Sequence, residues 1–190
     1  MACARVMQNF RDLVGIAKHG DLIRKILAPV SFALSFALSS QLTLANELLG
    51  RVVGVSDGDT ITVLDAKDQQ HKVRLAGIDA PEKSQDFGQM SKKHLSALVF
   101  GKAVAVEWQK LDRYGRVVGK VMLEDFDVCL EQIRKGMAWH YKKYAGDQSA
   151  SDRQTYAAVE VEARKARLGL WIYANPEPPW DYRHRARSNS

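Results

Sequence analysis

The chain has 190 residues, 46% of them hydrophobic and 26% charged, a globular mix with room for one ordinary domain and an appendage. A net charge of +6 suits a polyanionic partner, and two cysteines exclude a disulfide-stapled scaffold. The absence of an internal repeat excludes a solenoid.

The first 45 residues differ from the rest. Between Ile26 and Asn46 no residue is charged, Arg24 and Lys25 stand just before, and Thr43-Leu44-Ala45 resembles a small-residue cleavage site. Residues 1–45 therefore read as a signal peptide, which makes the expected location secreted or periplasmic. The alternative is an uncleaved membrane anchor through the same apolar segment. Cleavage after Ala45 removes Cys3 and leaves Cys129, which reads as a small buried hydrophobe.

From Leu49 the pattern turns to short runs of period two. Leu49 to Val55, Thr60 to Asp65 and His71 to Ile78 read as three strands of a meander, with turns at Asp57-Gly58 and across residues 66–69. Ser91 to Phe100 carries Leu95, Leu98 and Val99 at helical spacing before Gly101. Ala103 to Gln109 and Arg116 to Leu123 give two more strands. Leu130 to Lys135 and Ser151 to Arg167 give two more helices, the last with Ser151 as its expected cap. Trp171 reads as a packing anchor, and His71, His94, His140 and His184 as surface residues without metal-ligand spacing. The run from Asn175 to Trp180 is too proline-rich for regular structure, so residues 174–190 are expected to form an extended proline- and arginine-rich tail behind a domain of residues 46–173. The fold class is then α+β, mainly β: a five-stranded OB-fold Greek-key barrel with three helices, whose strand face and loops suit oligonucleotides.

Three motifs fall at strand ends: Asp57-Gly58-Asp59-Thr60, Val73 through Glu82, and Asp112-Arg113-Tyr114-Gly115-Arg116. Each alone is an ordinary turn. Together they supply the parts for metal-assisted phosphodiester cleavage: Asp59 and Asp79 as oxygen ligands for a hard cation, Glu82 to orient or deprotonate water, and two planar guanidiniums for the non-bridging oxygens.

In order and wording these motifs closely resemble the staphylococcal-type nuclease family, from about Val52 to Trp171. The resemblance implies an OB barrel and a Ca²⁺-dependent endonuclease on DNA and RNA that leaves 3′-phosphate ends. It implies Ca²⁺ ligation by Asp59, Asp79 and the main-chain carbonyl of Ala80, where the family often has threonine. Glu82 matches the residue that positions the attacking water, and Arg74 and Arg116 match the arginines that bind the scissile phosphate. Arg113 and Tyr114 match a pair touching a terminal phosphate, and Tyr141 and Tyr144 are candidates for base stacking or phosphate contact. Asp57 is expected to hold the turn. No stable protein partner is implied, and a monomer is expected. The alternative is a catalytically silent OB-fold module that binds nucleic acid without cutting it.

Overall fold

The computed structural model describes residues 46–188, so the expected signal segment and its cleavage site lie outside the described residues. Eight strands run in chain order: β1 Asn46–Val55, β2 Thr60–Leu64, β3 Gln70–Leu75, β4 Ile78–Asp79, β5 Ala103–Leu111, β6 Val117–Leu123, β7 Phe126–Asp127 and β8 Trp139–His140. Four α-helices accompany them: α1 Gly88–Val99, α2 Val128–Arg134, α3 Ala150–Lys165 and α4 Pro179–Ser188. None of the described helices is long and apolar enough to cross a membrane.

The barrel follows the order β3-β2-β1-β5-β6, and a parallel pairing of β3 with β6, Val73 opposite Val117, closes it. The expected five-stranded OB barrel is thus present, mainly β with helices packed on it. Strand β1 serves both halves: its first six residues pair with β5, and Arg51 onward pairs with β2. Gly50 sits where the two halves meet, and a Cβ there would run into the Leu64 carbonyl and the Val63 side chain. Alternation puts Val52, Ile61, Val63, Val73, Leu75, Val104, Val106, Val117 and Val121 inside the barrel. Leu95 and Val99 of α1, Val128, Cys129 and Ile133 of α2, and Tyr156 of α3 plug it, so Cys129 is buried as expected.

Beyond shifts of one to three residues at element ends, the structure differs from the sequence reading in the third strand, the cap of the last expected helix and the tail. The third strand does not run on to Ile78: Gly77 takes φ +73°, and Ile78–Asp79 leaves the barrel to pair with Trp139–His140. An apolar run cannot reveal such a corner, because both sides of it are buried. Helix α3 is capped by Ser149, which accepts from the Asp152 amide at 3.0 Å, while Ser151 lies within the first turn. The tail is not an extended arm through its length. Pro179 opens helix α4, a position where the missing N–H would have had no partner anyway. The barrel therefore carries a fourth helix.

A second, smaller apolar cluster lies beside the barrel: Trp139, Ala163, Leu170 and Trp171, with Phe87 and Trp180 packed on it. Trp171 is the packing anchor expected, edge-on to Trp139 at 5.4 Å. Trp180 brings α4 onto the same cluster, 6.3 Å from Trp139 and stacked on Tyr141 at 5.5 Å. Of the histidines read as surface residues, His140 is buried, bonded to Gln148 at 2.9 Å and edge-on to Tyr156. Its place on β8, a strand too short to show a period, hid that.

Candidate active site

The turn between β1 and β2 carries Asp57 and Asp59, and the corner after Gly77 carries Asp79, Ala80 and Glu82. Strand pairing sets Thr60 opposite Arg74, so Arg74 rises between the two segments. Buried Gln132 of α2 holds the turn from behind, donating to the Gly58 carbonyl at 2.6 Å. Gly58 has no room for a Cβ, which would strike Ser91.

Arg74 bridges the two aspartates. It ion-pairs with Asp59 through Nη1, and its Nη2 donates to Asp79 Oδ1 at 2.9 Å and to the Ile78 carbonyl at 3.2 Å. Asp59 also accepts from the Ala80 amide at 2.7 Å and from the Thr60 hydroxyl at 3.1 Å. Both carboxylates are buried, Asp79 to 1% exposure. Asp57 accepts from the Asp59 amide at 3.1 Å, the turn-holding contact expected of it. Burial first, and the adjacent Asp59 charge second, push the Asp57 carboxyl up to about 6. Burial also raises Asp79, against the pull of Arg183 and Arg74. Burial alone would lower Arg74, but the Asp59 and Asp79 charges outweigh it and raise this guanidinium.

The other predicted residues line the same groove, of about 1540 Å³, without all touching one another. Glu82 lies at the rim with its side chain 37% exposed. Arg116 is held by Asp112, which accepts its Nε at 2.7 Å and its amide at 3.0 Å. Arg113 donates to the Tyr114 hydroxyl at 2.7 Å at the tip of the β5–β6 hairpin, so that pair is exposed and partly self-satisfied. Tyr141 and Tyr144 meet edge to face at 5.2 Å, and Lys110 lies over the Tyr144 ring. Tyr141 is partly sequestered under Trp180.

One residue of the site escaped the sequence reading. Arg183 of α4 donates Nη2 to Asp79 Oδ2 at 2.7 Å and Nη1 to Asp79 Oδ1 at 3.2 Å and to Glu82 Oε1 at 2.8 Å. The arginine-rich tail was the available signal, but an arm read as extended gave no reason to single out one guanidinium. Arg185, two residues on, makes two bonds to Glu177 at 3.0 and 2.8 Å.

The donor set suits a hard cation. Asp59 and Asp79 offer buried carboxylate oxygens, and the main chain of Ala80 reaches Asp59 through its amide; the residues lining the groove include no cysteine or methionine, and their two imidazoles are His140, bonded to Gln148, and His184. Among the described residues no group of three His, Cys, Asp or Glu side chains could hold a metal by itself, so such a cation would complete its shell from the main chain and water.

The model of the staphylococcal nuclease homologue family matches residues 72–173. The chain belongs to the staphylococcal nuclease family. A protein of Escherichia coli named an uncharacterized endonuclease is 40% identical over 164 residues, 86% of this chain and 99% of its own length. A protein of Haemophilus influenzae with the same name is 43% identical over 73% of this chain and 75% of its own. A micrococcal nuclease of Shigella flexneri is 38% identical over 73% of this chain and 82% of its own. Nucleases of this family are generally metal-dependent.

Proposed function

We propose that the chain is a Ca²⁺-dependent endonuclease that hydrolyses DNA and RNA and leaves 3′-phosphate ends. Its class, a nuclease hydrolase, rests on the family and on its similarity to proteins named endonuclease and micrococcal nuclease. The observation that carries the finer reading is the pair of buried aspartates, Asp59 and Asp79, brought together by Arg74 in a groove rimmed by Glu82 and Arg116. Two carboxylates in a phosphate-binding groove repel their ligand unless a cation stands between, so a module that only binds nucleic acid would have no use for them.

Asp59, Asp79 and the Ala80 carbonyl would hold the cation. When bound, it supplies neutralising charge to the phosphate and lowers the pKa of a water. Glu82, at the rim and accessible to water, orients the attacking molecule and accepts its proton. That oxygen bonds to phosphorus as the bond to the 5′ oxygen breaks; the departing 5′ oxygen takes a proton from solvent to become a hydroxyl, which leaves the phosphate on the 3′ side. Arg74 and Arg116 stabilise the charge spread over the non-bridging oxygens. Arg113 and Tyr114 meet the phosphate at the chain end, and Tyr144 with Tyr141 offers ring faces to bases. The chain works as a secreted or periplasmic monomer, or held at a membrane if the N-terminal segment stays uncleaved.

The test is direct. Purified chain is incubated with plasmid and with RNA in Ca²⁺, in Mg²⁺ and in excess chelator. Cleavage of both substrates in Ca²⁺, abolished by chelator, is expected; undiminished cleavage in chelator would sink the reading.

A further inference from the structure

Helix α4 is docked rather than trailing. Trp180 stacks on Tyr141 with rings inclined by 17°, the Tyr182 hydroxyl bonds Ser84 Oγ at 2.8 Å, and Gln85 donates to the Glu177 carbonyl at 2.5 Å just before the helix. That docking delivers Arg183 to the groove wall. Its fork grips both oxygens of Asp79 and one of Glu82, the two carboxylates assigned to the cation and to the attacking water. Asp79 cannot follow a partner outward, since it is 1% exposed and held by Arg74 as well. Arg183 can move: its side chain is 33% exposed on a long, flexible stem.

We propose that Arg183 is a further substrate-binding residue, parked on Asp79 and Glu82 and passed to a substrate phosphate when a cation takes Asp79. The inference rests on the proposed function of this site. Its physical basis is competition for the same oxygens: a divalent cation on Asp79 repels a guanidinium in contact with that carboxylate, and neither oxygen of Asp79 is free of Arg183. Once displaced, the fork remains tethered to α4 in the groove that holds Arg74 and Arg116, where the two non-bridging oxygens of a phosphate match its planar pair of donors. Cation and nucleic acid then bind cooperatively, because the first releases the ligand that the second needs. The same contact keeps Glu82 paired until the cation arrives.

The experiment uses the full chain and two binding readouts, neither of which is turnover. Calorimetry measures Ca²⁺ affinity without nucleic acid for the wild type, Asp79→Ala, Arg183→Gln and Trp180→Ala, with circular dichroism as the folding control. Arg183→Gln is expected to bind Ca²⁺ about fivefold more tightly, the scale of losing a partly exposed competing ion pair. Trp180→Ala keeps Arg183 but undocks the helix, and should tighten Ca²⁺ binding in the same direction. A phosphorothioate oligonucleotide, which resists cleavage, is then titrated in saturating Ca²⁺. Arg183→Gln should bind it about tenfold more weakly, with the salt slope lower by about one. Unchanged or weaker Ca²⁺ binding in Arg183→Gln, or unchanged oligonucleotide affinity, overturns the inference alone while Asp79→Ala still loses Ca²⁺. A wild type that binds no Ca²⁺ overturns the inference together with the function beneath it.

Discussion

Arg74 and Arg116 share a proposed task but stand in different surroundings, and substitution should separate them. Arg74 neutralises two buried aspartates, whereas Arg116 lies at the groove edge with Asp112 as its partner. Lysine keeps the charge and loses the planar fork. Arg116→Lys should therefore lower turnover on the order of 10³-fold or more with only a small fall in melting temperature, since the Asp112 pair it loosens is partly exposed. Arg74→Lys should lower both turnover and melting temperature, because a single ammonium cannot reach Asp59, Asp79 and the Ile78 carbonyl together. Kinetics alongside thermal melts would expose the difference. A pH effect belongs to the same pair. Burial would raise Asp112, but the bonds it accepts from Arg116 and from the Tyr114 amide outweigh it and hold the carboxyl below its usual value. A lowered folded-state pKa stabilises the hairpin above the ordinary carboxylate range, and that contribution is lost as pH falls through the lowered value. Carboxyl NMR titration should find Asp112 below 3.8, and Arg116→Lys should move it upward.

At the scale of elements, Asp127 ties two helices to the barrel. Its Oδ1 caps α2 by accepting from the Leu130 amide at 2.9 Å, and its Oδ2 accepts from the buried Tyr156 hydroxyl of α3 at 2.8 Å. Removing the cap costs about 1 kcal/mol, and leaving the hydroxyl unpaired costs roughly 1–3 kcal/mol more. Asp127→Ala should thus destabilise by about 2–4 kcal/mol in urea unfolding. In a Tyr156→Phe background the loss should shrink toward the cap contribution, because the orphaned hydroxyl is gone. Additivity of the two changes would mean that the bond is not what couples α2 to α3.

For the molecule as a whole, the main core is built by the barrel with α1, α2 and α3, while α4 adds only Trp180 to the edge of the smaller cluster. Truncation after residue 178 should leave cooperative unfolding intact, with a fall in melting temperature of only a few degrees, about 2–4 °C per kcal/mol lost. Calorimetry would show it. A chain that no longer folds would make α4 part of the core instead of a wall of the groove.

Much of the barrel is legible because its strands show period two, and that pattern survives whatever each strand pairs with: the runs that carry Ile61, Val63, Val73 and Val121 read as strands without any register, and the structure buries these four. The motif residues were legible for a different reason, since Asp59, Arg74, Asp79, Glu82 and Arg116 follow the order of a family that the chain belongs to. Local rules failed where a residue's partner is distant. Gly77 turns the chain out of β3 because Trp139 and His140, some sixty residues on, wait to pair with it. Arg183 meets Asp79 across 104 positions, through an aromatic stack on Tyr141 that no periodicity encodes. The sequence by itself thus determined the barrel and its carboxylates, whose signals are local pattern and motif. Only the tertiary structure decided that the tail folds back over them, because the helix acquires its place from contacts with Trp139 and Tyr141 and not from its own amphipathic pattern.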